Sequence, residues 1–171
     1  MQCTKKLYLD LNADINPWTN NPNRSFNKNM MMGYVKDYFV TKLENINLKQ
    51  IFDEDEFLDN INNNNNFISF GLNLKFEDLS MKYDVITKVD NMINIYLAKS
   101  AIYTKSYYIK ELTLQKFVIS KLTDVPSISN LILINNDYEF TKSDINLDQY
   151  LNIVECESRI NNEDFIEVEN N

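Results

Sequence analysis

The chain has 171 residues, 44% of them hydrophobic, which suffices for one domain with a continuous core. Its longest apolar runs, such as Leu131–Ile134, are far shorter than the roughly 20 residues that a membrane-spanning helix needs. The formal net charge of −8 argues against direct binding to nucleic acid or to an anionic membrane surface.

The first third of the chain predicts a strand, a loop and two helices. Leucines alternate with polar residues over Lys6–Asp14, which is the pattern of a half-buried strand. The polar stretch Ile15–Asn29 contains two prolines and predicts a long loop. Within it, Trp18 either anchors the loop to the core, which we favour, or belongs to a binding surface. Apolar residues at helical spacing then predict helices over Asn29–Asn45 and Asn47–Ile61.

The middle of the chain has the clearest alternation. Asn62–Asn66 is a run of five asparagines that ends the second helix and predicts a low-complexity loop or a mobile tip. Every second residue from Ile68 to Phe76 is apolar, which predicts one strand. The segment Tyr83–Leu97 fits a helix nearly as well as two strands around Asp90-Asn91, but its β-branched residues favour the hairpin.

The last third predicts a helix, a hairpin and a further helix. Apolar spacing indicates a helix over Thr113–Leu122. Asn130–Ile134 and Tyr138–Thr141 flank a turn-forming segment and predict a second hairpin. Ser143 is a suitable N-cap for a helix that reaches Val154. The acidic, polar end of the chain predicts a frayed tail.

These elements predict an α+β fold in a single domain. We expect a mainly antiparallel sheet, a meander plus a hairpin, packed with three or four amphipathic helices. Residues 1–160 form the globular domain in this interpretation, and residues 161–171 form the acidic tail. No internal repeat or linker divides the chain.

The usual catalytic and cofactor-binding motifs are missing. The chain has no histidine, which removes the commonest general base and the commonest metal ligand. It has only two glycines, too far apart for either standard nucleotide-binding loop. Cys3 and Cys156 lie at opposite ends of the chain and predict free thiols. We therefore predict no catalytic residue, no cofactor and no metal.

One partial metal motif fails on inspection. Asp10, Asn12 and Asp14 match the first three ligand positions of a calcium-binding EF-hand loop. Ile15 stands where the turn requires glycine, and Asn21 stands where a bidentate glutamate belongs. We interpret the segment as the end of a strand.

A run of acidic residues is the one feature of the sequence that suggests a function. It consists of Asp53, Glu54, Asp55, Glu56 and Asp59, and we name it the acidic cluster. Such a run is either a solvated helix face or a surface that attracts a protein partner with a basic surface. A compensating basic face remains open if six lysines cluster, namely Lys5, Lys6, Lys105, Lys110, Lys116 and Lys121.

Composition suggests a setting for such a protein. About a sixth of the residues are Asn, well above ordinary usage. Asn, Ile, Lys, Tyr and Phe have AT-rich codons, so we infer an AT-rich genome, such as that of a phage, a virus, a mobile element or a low-GC bacterium. No apolar signal segment follows Met1, and we expect a cytoplasmic protein, in its own cell or in an infected host cell.

The sequence therefore favours a binding protein over an enzyme. Our leading hypothesis is a non-enzymatic inhibitor from an AT-rich phage, virus or mobile element. Its target would be a basic, nucleic-acid-handling protein of host defence or immunity, bound through the acidic cluster without direct contact to nucleic acid or membrane. The alternatives are an immunity or antitoxin protein that neutralises a cognate toxin, and a self-assembling structural protein that forms a homo-oligomer.

Overall fold

The computed structural model describes residues 22–44, 46, 48–139 and 145–160. The predicted strand Lys6–Asp14, Trp18 and Cys3 lie outside these described residues, as does the predicted acidic tail 161–171. Among the helices of the described residues, none is long and apolar enough to cross a membrane.

The described residues form a single α+β domain with a mixed six-stranded sheet, a separate two-stranded hairpin and four helices. A 3-10 turn, Glu157–Arg159, follows the last strand. In chain order the elements are α1 (Pro22–Leu43), β1 (Lys49–Gln50), α2 (Glu54–Asn62), β2 (Phe67–Phe70), β3 (Asn73–Phe76), β4 (Leu79–Lys82), β5 (Val85–Val89), β6 (Met92–Ala98), α3 (Ser106–Leu122), β7 (Ser127–Ile134), α4 (Leu147–Tyr150) and β8 (Leu151–Glu155).

The large sheet combines parallel and antiparallel pairs. Its strand order is β1-β2-β5-β6-β7-β8, and β3 pairs with β4 in the separate hairpin. The β1–β2 and β6–β7 pairs are parallel, and the other pairs are antiparallel. The chain returns from β6 to the parallel strand β7 through α3, as a parallel pair requires a long crossover connection.

The sheet is covered on both faces. On one face α2, α3 and the β3–β4 hairpin pack against side chains such as Ile95 and Leu133. On the other face α1 and α4 pack against Val85 and Ile132. Because successive side chains of a strand point to opposite faces, β7 contributes to both cores. This arrangement explains the apolar run Leu131–Ile134 at its end.

The first predicted helix is confirmed in its centre but begins earlier than expected. The segment from Pro22 to Asn29, which we predicted as loop, is helical and belongs to α1. Pro22 stands at the first helical position, where the missing N–H of proline costs nothing and its φ suits a helix. The proline therefore marks a helix start rather than a loop.

The predicted helix Asn47–Ile61 is wrong in its first half. Residues Lys49–Gln50 form the short edge strand β1, and the helix begins only at Glu54. Asp53 accounts for this start, because its Oδ1 accepts a hydrogen bond from the N–H of Glu56 at 2.9 Å. The predicted helix end at the asparagine run is confirmed, since α2 ends at Asn62.

The predicted single strand from Ile68 to Phe76 is two strands in different sheets. Gly71 lies between β2 and β3 with a φ of +76°, a left-handed conformation that glycine adopts without strain. The turn sends β3 away from the large sheet to pair with β4. Alternation alone could not indicate this break, because it continues across the glycine.

The hairpin predicted within Tyr83–Leu97 is confirmed as β5 and β6. Asp90 and Asn91 form its turn with φ values of +49° and +62°, as a tight hairpin turn requires. The predicted helix Thr113–Leu122 is confirmed at its C-terminal end and begins seven residues earlier, at Ser106.

The predicted second hairpin is wrong in its partner strand. Tyr138 and Glu139 are not in a strand, and residues 140–144, which include Ser143, lie outside the described residues. The antiparallel partner of β7 is instead β8, Leu151–Glu155. The helix predicted to reach Val154 is correspondingly wrong, because only Leu147–Tyr150 is helical. Pairing with β7 outweighs the helical spacing of this segment.

Candidate functional site

The acidic cluster lies at the start of α2, where much of its charge has a structural role. Asp53 is the N-cap, and Glu56 reaches back so that its Oε2 accepts the N–H of Phe52 at 2.7 Å. Glu54 Oε2 accepts the N–H of Lys75 on β3 at 3.1 Å. Carboxylates at this end also complement the positive end of the helix dipole. Three of the five acids therefore hold the helix in place.

The other two acids of the cluster have no such role. Asp55 and Asp59 are exposed, and neither side chain has a hydrogen bond or an ion pair with the residues that the structure describes. They are four residues apart, so they share one face of α2. Phe52, immediately before the cap, has 71% of its surface exposed. The structure thus presents an exposed aromatic side chain immediately before the helix that carries these two exposed carboxylates.

Some of the six lysines that could form a basic face lie in the described residues. Nζ of Lys116 forms an ion pair with Glu157 and donates to the carbonyl of Ser127 at 3.0 Å. Its charge is therefore neutralised within the fold. Lys105 and Lys110 are exposed near the start of α3, whereas Lys5 and Lys6 lie outside the described residues.

The asparagine run holds a buried lysine that the sequence did not indicate. Lys88 on β5 has no exposed surface, and its Nζ donates to Asn64 Oδ1 at 2.7 Å and to the carbonyl of Asn65 at 3.3 Å. Burial lowers the pKa of Lys88 from its ordinary value. The neighbouring Asn66 accepts the N–H of Asp90 through its Oδ1 at 3.3 Å. The run therefore contacts the end of β5 through Asn64, Asn65 and Asn66.

A second group of polar residues surrounds a hollow between α1, the β3–β4 hairpin and α3. The hollow has a volume of about 190 Å³. Asp84 is buried there, and its Oδ2 accepts the N–H of Ala98 at 2.9 Å. No sequence motif indicated Asp84. The only indication was its position as an acidic residue directly before a buried strand. The lining consists of Lys28, Asn73, Ser80, Met81, Lys82, Asp84 and Glu111.

Buried hydrogen bonds fix the wall of this hollow. Gln115 Nε2 donates to the carbonyl of Lys82 at 2.8 Å, and the hydroxyl of Tyr83 donates to the carbonyl of Gln115 at 2.8 Å. Burial raises the pKa of Tyr83 well above its ordinary value, so this hydroxyl keeps its proton. These contacts join the β3–β4 hairpin to α3 and fix the backbone of Lys82, which lines the hollow.

No group of three or more Asp, Glu or Cys side chains that could hold a metal ion occurs in the described ranges. Comparisons of the chain with protein-family models, with curated protein sequences and with solved structures found no match. The surface around Phe52 and the hollow at Asp84 are two candidate sites within the described residues.

Proposed function

We propose that this chain is a non-enzymatic binding protein that docks onto a protein with a basic surface. One observation carries the proposal: Asp55, Asp59 and Phe52 are exposed, although the remaining acids of the cluster are used to build the helix start. Aromatic side chains are common anchors of protein interfaces. Opposite charge around such an anchor speeds association and orients the partner.

The net charge of −8 and the abundance of residues that have AT-rich codons extend the proposal to a setting. A basic, nucleic-acid-handling protein of host defence or immunity has the surface charge that this face would attract. A phage, virus or mobile element gains from blocking such a protein. The chain would then act as an inhibitor by occupying the basic surface in place of nucleic acid.

The structure dictates which residues to change in a test. Reversing the charge of Asp53 or Glu56 would remove the helix cap at a cost of about 1 kcal/mol, so lost binding could reflect lost structure. The variant Asp55→Lys/Asp59→Lys avoids this difficulty, since both side chains are exposed and have no described hydrogen bond. Asp78→Lys/Asp124→Lys is the matched control, because it changes two other exposed acids by the same total charge.

The experiment is a pulldown from host lysate with the tagged wild-type chain and both variants. We expect a stoichiometric basic partner that Asp55→Lys/Asp59→Lys loses, that the control variant retains and that single-stranded nucleic acid displaces. Phe52→Ser should also weaken capture. Equal capture by the wild type and the Asp55→Lys/Asp59→Lys variant, or equal loss with the control variant, would contradict the proposal.

A further inference from the structure

The carboxylate of Asp84 is half satisfied and directed at the hollow. Its side chain is 8% exposed, and its Oδ2 is held by the N–H of Ala98. Its Oδ1 lies 4.0 Å from Nζ of Lys28, which also lines the hollow. Within the described part of the chain no donor hydrogen-bonds to Oδ1. Buried carboxylates need such partners, so this oxygen has the capacity to accept a hydrogen bond from a ligand.

The lining carries both signs of charge. Lys28 and Lys82 are the cationic residues of the lining, and Asp84 and Glu111 are the acidic ones. Glu111 is already paired with Lys99, whose Nζ lies 2.7 Å from its Oε2. Asp84 Oδ1 pairs only loosely with Lys28, at 4.0 Å, so it can still accept a hydrogen bond from a cationic group, and Lys28 can still donate to an anionic group.

From this arrangement the geometry points to a binding site for a small zwitterion, a free α-amino acid. The ligand ammonium would donate to Asp84 Oδ1, and the ligand carboxylate would accept from Lys28 and Lys82. Charge-assisted hydrogen bonds of about 2.8 Å at each end of the ligand fit the 4.0 Å between Asp84 Oδ1 and Lys28 Nζ. The two charges of the protein and the two charges of the ligand would then alternate around a ring.

Two further observations restrict the ligand class. The hollow, at about 190 Å³, is smaller than the roughly 300–1,000 Å³ of sites for drug-sized ligands. An amino acid is of suitable size, whereas a nucleotide is not. A bare metal ion would meet Lys28 and Lys82 beside the carboxylate, and ammonium groups repel a cation. Gln115 holds the backbone of Lys82 on one side of the hollow, whereas the side chains of Lys28 and Lys82 are exposed.

The test is isothermal titration calorimetry of the full chain with the common α-amino acids, singly, at up to millimolar concentration. We expect at least one to bind, and its N-acetyl and C-terminal amide derivatives to bind about ten- to a hundredfold more weakly, because each loses one charged contact. This comparison uses the wild-type chain and does not depend on any variant. Asp84→Asn should weaken binding by a similar factor, and Lys82→Met should do so to a smaller extent.

Asp124→Asn is the control for Asp84→Asn, since it makes the same chemical change at an exposed acid away from the hollow. It should bind the amino acid as the wild type does. Absence of binding to every amino acid would overturn the inference, and so would a ligand whose N-acetyl and amide forms bind equally well. Neither result would affect the proposed docking through Asp55 and Asp59.

Discussion

Lys88 carries a charge inside the fold, and no carboxylate of the described residues forms an ion pair with it. Its ammonium donates to the side-chain oxygen of Asn64 and to the carbonyl of Asn65, both from one loop. Oxygen dipoles compensate only part of the hydration that a buried ammonium loses. The lowered pKa of Lys88 expresses the remaining cost.

This cost should make stability depend on pH through Lys88. The folded-state pKa lies below the ordinary value of 10.5, so between the two values the unfolded chain binds more protons. Raising the pH through this window therefore favours the folded state. The free energy of unfolding in urea should rise with pH in the wild type relative to Lys88→Met. Lys110→Met, at an exposed lysine, should run parallel to the wild type.

The acidic cluster shows how far residues can be interpreted from sequence alone. Its composition was evident, and its position on a helix was predicted. Its division into Asp53, Glu54 and Glu56, which hold the helix start, and Asp55 and Asp59, which are exposed, depends on the partners Phe52 and Lys75. Asp84 was missed because a single acid has no pattern, and only the fold brings it to a hollow.

At the scale of elements, Gly71 decides the architecture. It lies between β2 in the large sheet and β3 in the separate hairpin, and its N–H donates to the carbonyl of Asp84 at 3.0 Å. The left-handed turn there is what places the β3–β4 hairpin against α3 and so forms one wall of the hollow. The other glycine, Gly33, lies within α1. Apart from the backbone of α1 itself, no atom of the described residues lies within 4 Å of a Cβ added at Gly33.

The two glycines should therefore respond to alanine in opposite directions. Gly71→Ala should lower the free energy of unfolding by about 1–2 kcal/mol, because an L side chain strains the left-handed backbone. Gly33→Ala should raise it by about 0.5–1 kcal/mol, because alanine loses less entropy in a helix. Urea unfolding of each variant measures the change in the free energy of unfolding. A gain in stability for Gly71→Ala would contradict the assigned turn.

Helices and strands were predicted correctly where the local sequence pattern and the strand pairing favour the same structure. The β5–β6 hairpin has alternation and a suitable turn in one short segment, and it was predicted correctly. Leu151–Glu155 fits a helical spacing and a strand alike, and pairing with β7, some 20 residues away in sequence, decides for the strand. The edge strand β1 has two residues and no periodicity, so only its parallel neighbour β2 defines it.

At the scale of the molecule, the central strands belong to two cores at once. Strands β5, β6 and β7 supply side chains to both faces of the sheet, so neither face can lose its packing independently. This sharing predicts one cooperative unfolding transition. Cys156 is a natural reporter of it, since its thiol is fully buried in the core beneath α3 and burial raises its pKa.

We expect Cys156 to resist thiol reagents in native buffer, because both burial and a raised pKa suppress the reactive thiolate. In a Cys3→Ser background, labelling should appear at the same urea concentration as the loss of helical circular dichroism. Rapid labelling without urea, or labelling well before the helices unfold, would show that the end of the sheet opens independently.

The contacts of the asparagine run affect how its length can vary in the gene. Tracts of one repeated residue tend to gain or lose copies when DNA is replicated. Within the described residues, four of its five side chains bond to a particular partner: Asn63 to the carbonyl of Asp59, Asn64 to Lys88, Asn65 to Asn60 and Asn66 to the N–H of Asp90. One extra or missing asparagine would lengthen or shorten the loop between α2 and β2 that carries these contacts. The contacts thus set a preferred length for the tract, even though its sequence resembles a freely drifting repeat.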